Sequence, residues 1–192
     1  HRENAIKAAL IMLEKVDELR PVFMARGYPE VAIGIGINSG MMNVGDMGSI
    51  YRRSYTVLGD AVNLSSRLEG LTKFYGIKLL VGQAAIEGLD GFLFRHIDRV
   101  KVKGKVKAVD CYEPICELPK ASAELVERVS EYHKALDCYF AQGWDSAESI
   151  FKVLQQGEPD ALLYKVYLER IEVLRDELLP EDWDGSFTHT SK

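Results

Sequence analysis

Residues 55–75 read YTVLGDAVNLSSRLEGLTKFY, and their reading decides the fold. A short β-prone run, Tyr55 to Leu58, meets Gly59, and a helical pattern starts at once. Glycine gives the backbone freedom for a tight strand-to-helix turn, and Asp60 suits a helix N-cap. At about 100° per residue, Ala61, Leu64, Leu68, Leu71 and Tyr75 fall on one arc, which is the expected buried face. Asn63 and Arg67 lie four residues apart on a different arc, with Gly70 leaving open space on the next turn. An Asn and an Arg at this spacing are usually a solvated helix face. They are also a donor set for an oxyanion: a rigid charged fork beside a neutral amide.

Working outward, Val31 to Asn38 alternates as a strand with glycines inside it. Its GIGINSG run is neither a dinucleotide-binding fingerprint nor a phosphate loop, because no Gly-Lys-Ser/Thr follows; strand glycines more often mark a close backbone approach or a bulge. Met41 to Val44 and Arg53 to Leu58 read as a hairpin whose Gly45–Arg52 tip carries Arg52, beside Arg53, both explained equally well as a solvated end. Upstream, residues 2–19 repeat apolar side chains at helical spacing, and Pro21 together with the Arg26-Gly27-Tyr28-Pro29 cluster is expected to end that helix and form a loop. Downstream come a short buried strand (Ile77 to Val81), a helical turn or two (83–90), and a hairpin of Phe92 to Lys103 and Val106 to Glu113 turning at Gly104. Lys101, Lys103 and Lys105 share one face of it, an arrangement that also protects a sheet edge.

Beyond Pro114 the pattern breaks. Ala123 to Gln142, Trp144 to Gln156 and Pro159 to Leu178 read as three helices. Ala135, Tyr139, Trp144, Ala147, Phe151 and Pro159 have the spacing of a tetratricopeptide-like hairpin, which alone cannot bury its faces and must dock elsewhere. An extended tail follows, with Trp183 and Phe187 as anchors. The expected organisation is 1–115, a linker at 116–122, helices over 123–179, and the tail at 180–192.

Charge is uneven. Residues 121–192 hold 15 acidic and 7 basic side chains, net −8, whereas residues 1–120 hold 14 and 17, net +3. A mildly basic front suits a small polyanion and is too weak to argue for nucleic acid. The longest apolar run is about six residues (Ala8 to Leu13), too short to span a bilayer. Cys111, Cys116 and Cys138 are an odd set without CxxC spacing, which suits reduced thiols in the cytoplasm.

The run Y-T-V-x-G-x-x-V-N-x-x-x-R-L-E, preceded by IGIGINSG (33–40) and followed by VKGK (102–105), resembles the class III nucleotide cyclases over roughly residues 1–115. The resemblance implies an α+β, ferredoxin-like cyclase fold with a sheet covered by helices. It implies an adenylate cyclase that converts ATP to 3′,5′-cyclic AMP and pyrophosphate with two Mg²⁺ or Mn²⁺ ions. Asn63 and Arg67 match the family's transition-state-stabilising pair, and Lys103 matches the lysine that meets the terminal phosphates. Thr56 stands at the purine-reading position, where adenylate-type members have Asp or Thr and guanylate-type members usually Cys; Val57 would flank the base. The family works as head-to-tail dimers with composite sites, so a homodimer is implied, in bacterial relatives often behind a sensor with membrane helices. The family's metal-binding patterns, F-x-D-I-x-G-F and G-D-x-x-x-A, do not occur here, nor does the purine-reading lysine of the same half. The chain thus reads as the latter part of the catalytic domain, with the metal ligands unassigned; Asp46 and Asp60 are expected in turn and N-cap positions. The alternative is a catalytically silent cyclase-like domain that binds nucleotide or partner proteins.

Overall fold

The computed structural model describes residues 1–49, 51–101 and 108–188, which divide into two compact units: residues 1–73 with 78–89, and residues 74–77 with 90–192. The α+β class expected from the sequence is what is found.

In the first unit, α1 (Arg2–Ala25) is followed by β1 (Ile35–Ile37), the hairpin β2 (Asn43–Ser49) and β3 (Arg52–Leu58), α2 (Asp60–Tyr75), β4 (Leu79–Gly82) and α3 (Gln83–Ile86). β1 and β4 pair in parallel, Gly36 opposite Leu80. Helix α1 passes through Pro21 instead of ending there. Pro21 lies on the exposed side of the helix, and the chain turns only at Gly27, whose φ is +80°. The β2–β3 strands run further toward the tip than the alternation suggested, with Asp46 paired to Tyr55 and Ser49 to Arg52. Asp46 therefore belongs to a strand, not a turn, because cross-strand pairing outweighs its poor intrinsic β preference.

The burial of α2 follows the wheel. Leu64, Leu68, Leu71 and Tyr75 are buried, joined by Thr72, while Ala61 is half-buried. The helix lies tight on β1. A Cβ on Gly36 would meet the backbone oxygen of Ser65 and the backbone nitrogen of Glu69, and Ser65 Oγ donates to the Gly36 carbonyl at 2.8 Å. The strand glycine marks a close backbone approach, as read from the sequence.

The second unit holds β5 (Phe92–Lys101), β6 (Ala108–Glu117), α4 (Ala123–Phe140), α5 (Trp144–Gly157), α6 (Leu162–Leu174) and the two-residue β7 (Phe187–Thr188), together with the last residues of α2. β5 pairs antiparallel with β6 and parallel with β7, a small mixed sheet. β6 continues through Pro114 to Glu117 rather than stopping at Glu113. The register shifts between Leu93 and Phe94, opposite Pro114, which a bulge accommodates because proline has no N–H to give the ladder.

The three expected helices are present, and they dock on β5. Tyr132 on α4 and Tyr167 on α6 both donate to the Ile97 carbonyl, at 3.2 and 2.6 Å. Ala135, Tyr139, Ala147 and Phe151 are buried. The tail is anchored by its two aromatics: Trp183 packs edge-on against Tyr139 and Trp144, and Phe187 covers Arg170 at 3.9 Å.

Candidate active site

Four of the expected side chains fall where one strand-turn-helix presents them. Thr56 and Val57 lie just before the last residue of β3, Gly59 makes the turn, and Asn63 stands in the first turn of α2 with Arg67 one turn further on. Gly59 has φ +155°, a conformation that L side chains rarely adopt, and a Cβ there would sit 3.3 Å from the Met41 oxygen and Met42 Cα, a tight fit. Its carbonyl accepts the N–H groups of Val62 and Asn63 at 3.1 and 3.0 Å and starts the helix.

Asn63 is exposed and Arg67 half-buried, and among the described residues no side-chain hydrogen bond or ion pair holds either. Asn63 stands at the positive end of the helix dipole, which favours an anion there. A Cβ at Gly70 would meet nothing within 4 Å, so the surface beyond Arg67 is open. Ser65 and Glu69, pinned against Gly36, flank Arg67 by two residues on each side and face the other way round the helix. The guanidinium therefore rises from a turn whose back is fixed.

Thr56 and Val57, as successive strand residues, point to opposite faces of the hairpin. They cannot line one side of a base together through their side chains. Lys103 and Lys105 lie outside the described residues. Lys101, at the end of β5, approaches Asp184 at 3.7 Å.

The described residues do not fit a divalent metal pair. Asp46 is in β2, Asp60 opens α2, and among the described residues no three His, Cys, Asp or Glu side chains stand together as a metal cage. No reaction step is assigned to a metal here.

Sequence reasoning missed a buried polar cluster in the second unit. Asp98 Oδ2 accepts from the Tyr75 hydroxyl at 2.5 Å and from Arg170 Nη1 at 2.6 Å, and its Oδ1 accepts the Arg99 N–H at 2.7 Å. Burial, reinforced by the Asp98 charge, pushes the Tyr75 phenol far up. Burial works against the Arg170 charge, but Asp98 and the surrounding tyrosines outweigh it and hold the guanidinium protonated. Cys111, whose thiol donates to the Asp98 carbonyl at 3.3 Å, is pushed up by burial and is not a reactive thiolate. The only advance signal was Asp98 itself, a carboxylate inside an apolar strand.

Comparison with known proteins gives the family. A family model described as the adenylate and guanylate cyclase catalytic domain matches residues 1–116. The chain is 41% identical over 117 residues to an adenylate cyclase of Anabaena cylindrica, covering 57% of this chain and 23% of that protein. It is 34% identical over 175 residues to the terminal-differentiation-specific adenylate cyclase of Dictyostelium discoideum, covering 87% of this chain and 8% of that one. A soluble guanylate cyclase of Drosophila melanogaster, 89Db, is 36% identical over 105 residues, 55% of this chain and 14% of that protein. The chain thus spans less than a quarter of the length of each of these relatives. Among solved structures, the adenylyl cyclase CyaB from P. aeruginosa matches with a TM-score of 0.50 at 27% identity, over 59% of this chain and 58% of that one. The guanylyl cyclase Cya2, at 24% identity, shares the fold with a TM-score of 0.52 over 64% of this chain and 63% of that one.

Proposed function

The chain belongs to the family of adenylate and guanylate cyclase catalytic domains, and on that premise we propose that it takes part in converting ATP to 3′,5′-cyclic AMP and pyrophosphate for intracellular signalling. In that reaction the ribose 3′-oxygen forms a bond to the α-phosphorus, the bond to the bridging oxygen of the β-phosphate breaks, and the 3′-hydroxyl proton leaves. Negative charge grows on the α-phosphate oxygens and the departing pyrophosphate. Arg67 donates to the α-phosphate oxygens, Asn63 orients the ribose, and Lys103 meets the terminal phosphates. Preorganised donors of this kind supply a large share of such catalysis.

The observation that carries the reading is the Asn63–Arg67 pair itself, one turn apart at the positive end of α2, beside the open surface at Gly70. Thr56 supports ATP over GTP, since a hydroxyl can accept from the adenine 6-amino group. Its neighbour Val57 contributes through its backbone or through the opposite face of the hairpin.

A homodimer is part of the proposal. The β2–β3 hairpin exposes apolar side chains on both faces, Tyr55 (77%) and Val44 (55%) on one and Leu58 (52%) on the other. A two-stranded ribbon is marginal alone, and a second copy would cover it. The resemblance also implies Mg²⁺ or Mn²⁺, for which the described residues offer no cage of ligands. No helix among the described residues is long and apolar enough to cross a membrane, and a cytoplasmic site of action, tethered or free, belongs to the same proposal. Residues 1–115 are the cyclase part, with 116–122 joining them to a tetratricopeptide-like helical set at 123–179 and the tail at 180–192.

The test is product analysis. Cyclic AMP and cyclic GMP formation from ATP and GTP is measured with Mg²⁺ and Mn²⁺, for this chain alone and for a version extended upstream. Cyclic AMP from the extended protein supports the reading. Nucleotide binding without any cyclic product from either protein replaces it with the silent nucleotide-binding domain.

A further inference from the structure

Within the first unit, the underside of α2 rests on β1 and its flanks at three heights. Gly34, Gly36 and Asn38 stand at alternate positions along the extended chain, so they share one face. A Cβ at Gly34 would meet Thr72 Oγ1, and one at Gly36 would meet the backbone of Ser65 and Glu69. At the third height the Asn38 amide donates from Nδ2 to the Ala61 carbonyl at 3.2 Å. The two elements therefore run in opposite directions, with Thr72 over the start of β1 and Ala61 over its end.

At the first two heights bare glycine backbone lets the helix close in. At the third a side chain spans the gap, and Gly82 at the end of β4 gives it room: a Cβ there would stand 2.5 Å from Asn38 Oδ1. A carbonyl takes only a donor, so the NH₂ end of the amide faces Ala61 and its oxygen lies against Gly82. Gly40 closes on the Ala61 methyl as well, where a Cβ would stand 2.8 Å away.

These contacts reach the two site residues separately. Arg67 lies between Ser65 and Glu69, which meet Gly36. Asn63 stands in the first turn, two residues from Ala61, where an α-helix is least held by its own bonds. Asn38 ties that turn to the end of β1.

We propose that Asn38 is a positioning residue for cyclisation: by holding the Ala61 carbonyl it sets the first turn of α2 and aims the Asn63 amide at the ribose, whereas Arg67 is set independently through Gly36. This rests on the cyclase reading above.

The test uses the full chain, extended upstream if turnover needs it. Asn38→Ala removes the amide, and Asn38→Asp keeps its shape but turns an oxygen toward the Ala61 carbonyl. Each is made alone, together with Asn63→Ala, and together with Arg67→Ala, and kcat and the KM for ATP are read beside amide hydrogen exchange. Either change at Asn38 should lower kcat about tenfold with little change in KM. It should cost almost nothing once Asn63 is alanine, and the full tenfold once Arg67 is alanine, because Asn38 acts through Asn63. A general loosening of the fold would cost the same in all three backgrounds, which separates positioning from a merely structural role. Exchange should rise at residues 62–65 and stay unchanged at residues 68–73. Equal losses in all three backgrounds, a parental kcat in a folded variant, or exchange that rises along the whole helix overturns the proposal. Should Asn38→Asp fail to fold, Asn38→Ala carries every measurement. A parent that makes no cyclic nucleotide defeats the cyclase reading separately, and exchange at residues 62–65 still decides whether Asn38 sets the turn, an unchanged rate there overturning it.

Discussion

Replacing Gly36 with alanine tests how the Arg67 turn is held. The new Cβ would stand 2.9 Å from Glu69 Cα and closer still to the Ser65 oxygen and Glu69 nitrogen, all backbone atoms that no rotamer change can move aside. To restore ordinary contact, α2 must retreat by on the order of 1 Å, at an overpacking cost of about 1–3 kcal/mol. The retreat also stretches the 2.8 Å bond from Ser65 Oγ to the Gly36 carbonyl, worth about 1 kcal/mol. The total, roughly 2–4 kcal/mol, corresponds to a fall in unfolding midpoint of about 4–16 °C for a chain of this size. Because the displaced turns carry Asn63 and Arg67, turnover should fall by up to about 100-fold in the folded protein. Thermal unfolding and cyclic-nucleotide kinetics measure the two effects, with Gly91→Ala as control, since a Cβ there would meet nothing within 4 Å. If Gly36→Ala matched Gly91→Ala in both stability and turnover, the account of how β1 positions the helix would be refuted.

Three further outcomes follow from the second unit. His133 is held below its usual pKa of 6.5 by burial and by nearby His96 and Arg95, against the pull of Asp137, and its neutral Nε2 accepts the His96 N–H. The unfolded chain therefore binds the proton first, so the contribution of His133 is present above about pH 6.5 and is lost as pH falls below it; His133→Gln should flatten that part of a urea-midpoint-against-pH curve. Asp110 is held low by its bonds from His96 and Arg99, partly offset by burial, so its contribution is lost only at lower pH, as the carboxylate protonates; Asp110→Asn should remove that acid limb in the same measurement. Trp183→Ala, which loses edge contacts with Tyr139 and Trp144, should cost about 2 kcal/mol in denaturant unfolding.

The stretch from Thr56 to Tyr75 was legible because its information is local. Glycine at a tight turn, apolar residues at helical spacing and a polar pair on another arc each report on neighbours within a few positions. Gly36 was legible for a similar reason, since a glycine inside an alternating strand has few explanations other than close approach. Pro21 misled because its cost depends on whether its side of the helix faces water, which only the assembled unit reveals. The Asp98–Arg170 pair joins residues 72 positions apart, and no periodicity encodes a partner at that distance. The docking of the tail on β5 was hidden likewise: the hydroxyls of Tyr132 and Tyr167 satisfy the carbonyl that a bulge frees, and nothing local in their helices marks that distant acceptor. Lys103, the remaining residue of the expected site, lies outside the described residues.

The most direct measurement is ATP turnover by Arg67→Ala beside the unaltered sequence, in the same extended protein and with the same metal. Half-buried on a helix that it does not stabilise by any bond among the described residues, Arg67 can be shortened without unfolding the chain. If its guanidinium meets the charge that grows on the α-phosphate, kcat falls about 100-fold while the KM for ATP changes little. Turnover equal to that of the unaltered protein would contradict the account, because the pair on α2 would then be no more than a solvated helix face.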